Sequence, residues 1–146
     1  MYRPELVDLV YMAGLFDGEG YISIRYQSQH KRYDTYSLMV GVNMVDEEPV
    51  KLFSEAFGGT VNLRESKNKN WRPQYRWRID SGSAYRFLKI ISPYLRLKQK
   101  KAELALLFQE NKKTYNYRPQ DEKDKESLLF TEMRVLNRRG NYAIST

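Results

Sequence analysis

Asp17 and Glu19 are the acids of this chain best placed for chemistry, because of what surrounds them. They close the stretch Met12-Ala13-Gly14-Leu15-Phe16-Asp17-Gly18-Glu19-Gly20, which opens as an apolar helix and ends on glycine-flanked carboxylates. A helix that only fills a core avoids such an ending, since glycine costs about 1 kcal/mol against alanine in a helix interior. Gly14 and Gly18 are four residues apart and share one helix face. They leave a strip without side chains along which a second helix can approach closely, a steric logic best known from membrane helices. Here the segment is too short and too amphipathic to span a bilayer. Two such helices in contact carry their C-terminal acids to one place. Asp17 and Glu19 lie about 200° apart around the axis, so one of them serves that place. Glu19, in the last turn, is the better candidate.

The elements that position these acids follow from hydrophobic periodicity. Residues 4–18 carry Leu6, Leu9, Val10 and Ala13 at helical spacing. Residues 21–29 alternate, with Ile22, Ile24 and Tyr26 on one side and Ser23, Arg25, Gln27 and Gln29 on the other, which is a half-buried strand. A polar hairpin tip follows at 30–34. It holds His30, the only histidine, which reads as a DNA-contact or solvated residue rather than a general base. Residues 35–44 return with Leu38, Val40, Val42 and Met44 facing in and Ser37, Met39, Gly41 and Asn43 facing out.

Asp46 begins a short helix that ends at Gly58-Gly59. Strands follow at 60–66 and 72–80, the second with Tyr75, Trp77 and Ile79 opposing Gln74, Arg76 and Arg78. Trp71 and Trp77 read as core anchors. Helices are expected from Ser83 to before Pro93, over 98–113 and over 120–139. The order α-β-β-α-β-β-α-α-α predicts an α+β domain, an antiparallel four-stranded sheet with its helices on one face. A chain of 146 residues fits a single domain spanning 1–146.

Charge says what the other face of the sheet is for. The net charge is +7, and positive residues lie largely on the strands. The outward set is Ser23, Arg25, Gln27, Gln29, Ser37, Asn43, Asn62, Arg64, Gln74, Arg76 and Arg78, with almost no acids. A face kept only for solubility mixes in Glu and Asp. Arginine instead reads guanine bidentately, glutamine and asparagine read adenine, and a two-stranded ribbon fits the major groove. Arg32, Lys67 and Lys69 at the hairpin tips suit phosphate contacts, which position without specifying.

The nonapeptide closely resembles the defining motif of the LAGLIDADG homing endonucleases, in a form that reads AGLFDGEG. Phe57-Gly58-Gly59-Thr60-Val61 is similar to that family's turn into its third strand. Pro93-Tyr94-Leu95-Arg96-Leu97-Lys98-Gln99-Lys100 is similar to its segment carrying a functional lysine, and Leu136-Asn137-Arg138-Arg139-Gly140 to a common ending of its last helix. The resemblance implies an αββαββα fold with a saddle-shaped sheet and extra C-terminal helices. It implies Glu19 as the metal-binding acid with the Gly18 carbonyl as second ligand, and Lys98 as the active-site cation. Members often carry glutamine or asparagine at the end of the second strand to order the water. This chain has Met44 at the aligned position and Asn43 beside it, so either Asn43 serves one place over or the water is held otherwise.

Hydrolysing a phosphodiester requires a positioned water, neutralised phosphate charge and a stabilised leaving oxygen, all within the reach of divalent metals such as Mg²⁺. The motif occurs once, and one Glu19 cannot cut two strands, so the expectation is a homodimer. Its interface would be Met12, Ala13, Gly14, Phe16, Asp17 and Gly18, and its target a long pseudo-palindromic double-stranded DNA cut across the minor groove. Elements of this type are usually intron-encoded. An intron RNA maturase stays open as an alternative on the same scaffold, while a non-cleaving regulator is disfavoured by the presence of Glu19. The chain has no cysteine, no run of about 18 apolar residues and no signal-peptide pattern. The expectation is an intracellular protein with no membrane contact, in an organelle or a prokaryotic cytoplasm.

Overall fold

The computed structural model describes residues 3–29, 33–112 and 119–138. Helix α1 (Leu6–Glu19) starts where the Asp8 carboxylate accepts the Glu5 N–H at 3.0 Å, and it passes directly into strand β1 (Gly20–Gln29). The junction needs glycine for room. A Cβ on Gly20 would fall 2.3 Å from the Phe16 ring, while its N–H closes the helix on the Phe16 carbonyl. With no loop between helix and strand, Glu19 sits on the rim where α1 meets the sheet.

The chain continues through β2 (Tyr33–Met44), α2 (Glu47–Phe57), β3 (Thr60–Arg64), β4 (Gln74–Asp80) and α3 (Ser81–Ile91). A 3₁₀ turn (Ser92–Tyr94) leads to α4 (Gln99–Asn111) and α5 (Gln120–Asn137). Gly58 and Gly59, with φ of +81° and +86°, take the left-handed conformations that join α2 to β3. The sheet is antiparallel throughout, in the order β1-β2-β4-β3.

The inward side chains of the strands, Ile22, Ile24, Leu38, Val40, Val42, Trp77 and Ile79, form one core with Met12, Phe16, Val50, Phe53, Phe87, Phe108, Leu129 and Met133 of the helices. Trp77 stacks on Phe53 at 5.0 Å, meets Phe87 edge-on at 5.3 Å, and donates its indole N–H to the Gly58 carbonyl at 2.8 Å. Trp71 departs from expectation and is 69% exposed. It lies in the loop before β4, which begins at Gln74 rather than at residue 72.

α1 also corrects the stripe read from periodicity. Leu6 and Val10 are 62% and 50% exposed, and the buried face is Met12, Ala13, Phe16 and Asp17, with Leu9 packed beside it. The helix is apolar on both sides, so spacing alone could not choose between them. α5 covers the β1 end of the core. Its Glu126, 1% exposed, pairs with Lys112 at 3.6 Å, and the Lys112 ammonium also donates to the Tyr36 carbonyl. Among the described residues no helix is long and apolar enough to cross a membrane.

Candidate functional site

Strand registers bring the polar outward residues into rows. Tyr21, Gly41, Arg78 and Thr60 line up across all four strands, flanked by Asn43, Arg76 and Asn62, with Gln74 opposite Arg64. On the other side Ser23, Met39 and Asp80 form a row, then Arg25 with Ser37 and Gln27 with Thr35. Ser23, Arg25, Gln27, Ser37, Asn43, Asn62, Arg64, Gln74, Arg76 and Arg78 therefore share one face, where Asp80 is the one acid in these pairings. Arg25, Asn62, Arg64, Gln74 and Arg78 are exposed and the other five are half-buried. Asn62, Arg64, Arg76 and Arg78 also line a shallow groove at the β3–β4 edge.

Lys67 and Lys69 are exposed in the loop between those strands. Gln29 ends β1, and its side chain lies outside what the structure describes. Arg32 lies outside the described residues, as does His30.

Tyr21 belongs to this face as well. Its hydroxyl lies over Gly41, where a Cβ would come within 2.5 Å of it and of the Trp77 carbonyl oxygen, so Gly41 is required. Burial pushes the Tyr21 phenol up, against the Arg78 and Arg76 charges, and Arg76 bonds to it. Alternation alone assigns Tyr21 to the outer face, but an aromatic at a strand start carries no signal that separates a contact residue from a core one.

The two residues at the end of the second strand differ in orientation. Met44 packs on the core, whereas Asn43 lies on the outer face. Gly20, the first residue of β1, pairs with Val42, next to Asn43 in the chain. The Asn43 side-chain amide oxygen, Oδ1, is buried and has no hydrogen-bond partner among the described residues.

The two motif acids separate as their spacing requires. Glu19 is exposed, while Asp17 is 9% exposed and turned inward. The Asp17 carboxylate accepts the backbone N–H groups of Arg96 at 2.8 Å, Leu97 at 3.2 Å and Lys98 at 3.1 Å. The Lys98 ammonium donates to the Asp17 carbonyl. Burial holds the Lys98 amine below the usual lysine range, helped by the Lys101 charge and opposed by Asp17 and Glu19. Burial also lowers Lys101. A cation thus stands beside the turn that bears the exposed acid.

The expected interface set divides by burial. Met12, Ala13 and Phe16 are 0% exposed and Asp17 9%, so a single chain already uses them and they present no surface to a second copy. The face left open is Val7, 72% exposed, with Val10, Tyr11, Gly14 and Gly18. A Cβ built on Gly14 or Gly18 meets no atom within 4 Å, so packing within the chain does not require either glycine.

The donors suit a hard divalent cation, with one exposed carboxylate beside helix-end carbonyls that have no intrahelical partner. The Phe16 carbonyl is taken by the Gly20 N–H and that of Asp17 by Lys98, which makes Gly18 the next along. Among the described residues no three acidic or histidine side chains cluster to hold a metal.

The family model described as LAGLIDADG endonuclease matches residues 12–110. No curated protein matches the chain by sequence. Among solved structures, the homing endonuclease I-CvuI, in complex with the I-CreI target in the presence of Mg with the DNA not cleaved, superposes with a TM-score of 0.74 at 17% identity, over 90% of this chain and 82% of that one. The archaeal intron-encoded homing endonuclease I-Vdi141I, complexed with DNA, gives 0.76 at 13% identity over 92% and 86%. The I-SmaMI LAGLIDADG homing endonuclease bound to cleaved DNA gives 0.68 at 19% identity, over 88% of this chain but 44% of that one. At these identities the likeness is one of fold, and it is the α+β fold expected from the element order.

Proposed function

The chain belongs to the LAGLIDADG endonuclease family, and from that premise we propose that it is a site-specific double-strand DNA endonuclease acting as a homodimer, each copy contributing one motif. One observation carries the reading. An exposed acid, Glu19, and a half-buried cation, Lys98, meet at the helix end that borders an acid-poor, arginine-rich sheet face. Supporting it are the DNA complexes of I-CvuI and I-Vdi141I and the match of this chain to about half of I-SmaMI.

The two-fold partner would dock on the open face of α1, Val7, Val10, Tyr11, Gly14 and Gly18, where the glycines permit close helix contact. That contact brings two Glu19 side chains together between the two DNA strands. Each sheet would lie in a major-groove segment, with Arg25, Asn62, Arg64, Gln74 and Arg78 reading base edges and Lys67 and Lys69 on phosphates. Glu19 and the Gly18 carbonyl would hold Mg²⁺. When bound, the metal supplies Lewis acidity at the phosphate and lowers the pKa of a coordinated water. Lys98 would neutralise phosphate charge, and the Asn43 side-chain Oδ1 would orient the attacking water by accepting a hydrogen bond from it.

The test is to select duplexes from a randomised library in Ca²⁺, move the bound pool to Mg²⁺ and sequence the ends. Paired, staggered cuts within a pseudo-palindrome are expected. A defined bound site without any cut would overturn the enzyme reading in favour of a regulator, and preference for structured RNA would favour a maturase.

A further inference from the structure

We propose that Asp17 is a positioning residue of the cleaving site, setting where Lys98 stands relative to Glu19 by holding the backbone that carries the lysine. The inference rests on the endonuclease reading above. Asp17 Oδ2 accepts the Arg96 N–H, and Oδ1 accepts those of Leu97 and Lys98, so one carboxylate holds three successive amides. At its ends the Leu95 N–H donates to the Ser92 carbonyl at 3.2 Å and the Lys98 carbonyl accepts the Ala102 N–H of α4 at 2.9 Å. The Leu95 side chain is 3% exposed, but that of Leu97 is 79% exposed and that of Arg96 also faces solvent. Between those ends, Asp17 binds the amides of residues 96–98. Lys98 then closes on residue 17 twice, through its amide to the carboxylate and through its ammonium to the carbonyl.

A bland reading would make Asp17 an ordinary helix cap. Capping side chains satisfy the unpaired N–H groups of a helix's first turn. Asp17 instead takes the amides of residues 96–98, all of which precede the first residue of α4, Gln99. What it orders is the connection bearing the lysine. The same helix end therefore presents the acid at residue 19 and fixes the cation through residue 17, and a shift of one carries the other with it.

The test is a double-mutant cycle on a duplex that the wild-type protein selects from a random library in Ca²⁺. Asp17→Asn replaces one accepting oxygen with a donor, and single-turnover cleavage in Mg²⁺ should slow by about 10–100-fold. Affinity for that duplex in Ca²⁺ should stay within about threefold of wild type. In a Lys98→Ala background the same change should cost less than about threefold, because the group it positions is gone. Equal losses in both backgrounds, or a loss of affinity matching the loss of rate, overturn the proposal. Asp17→Glu keeps the charge but moves the carboxylate by one methylene, and it carries the cycle if Asp17→Asn does not fold. If neither variant folds by circular dichroism, Asp17 is a residue of the fold alone and the proposal falls. A wild-type protein that binds without cutting overturns the endonuclease reading itself, and the positioning role goes with it.

Discussion

The two faces of α1 are nearly alike in composition and opposite in circumstance. Inward, Met12, Ala13 and Phe16 are fully buried and Asp17 has three amide donors. Outward, Val7, Val10 and Tyr11 are at least half exposed and two glycines have nothing above them. The sheet repeats the contrast, with an apolar face under the helices and an arginine-rich face left open. One chain thus completes its fold and leaves its proposed site half built. Helix packing accounts for the inner faces, and the outer faces are the ones on which the proposed second copy and DNA would dock.

Substitutions on the two faces should separate cleanly. Glu19→Gln, on the open side, should lower cleavage by on the order of 10³-fold or more, while melting temperature and DNA affinity in Ca²⁺ stay near wild type. A gel-based assay showing wild-type cutting would remove Glu19 from the site. Phe16→Ala, on the closed side, should destabilise the fold by about 3–5 kcal/mol in urea unfolding. Unchanged stability there would mean that the inner face is not core.

Gly18→Leu should weaken the dimer by about 1–3 kcal/mol of lost close packing, with the chain still folded. Sedimentation at dilute protein reads this directly, and an unperturbed dimer would move the interface off α1. The smallest effect sharpens the contrast most. Gly14→Ala should stabilise the monomer by about 0.5–1 kcal/mol, because its Cβ meets open space, yet it should loosen the dimer. A destabilised monomer would show that the glycine serves its own chain.

Much of this was legible in the residues. The alternation in β1, β2 and β4 assigned each strand residue to its face, because a period of two admits one partition and the apolar half must be buried. That is why the pattern marks Arg25, Arg76 and Arg78 as candidate contacts, while Tyr21, on the same face, carries no such mark. A charged side chain reports its exposure, but a tyrosine fits either side. α1 failed for a related reason. With Leu6, Val7, Leu9, Val10 and Met12 all apolar, the helical period has no polar phase to anchor it, and four of the six expected interface residues lie on the buried side.

By itself the sequence determined the element order, the phase of the strands, the unusual end of the motif helix and the separation of its two acids around the helix axis. Those are local properties, set by steric periods and by glycine. Only the tertiary structure decided which face of α1 is open and that Asp17 reaches residues 96–98. Each of those depends on contacts between residues distant in the chain. Their partners are chosen by how the whole core closes, and no local pattern records that.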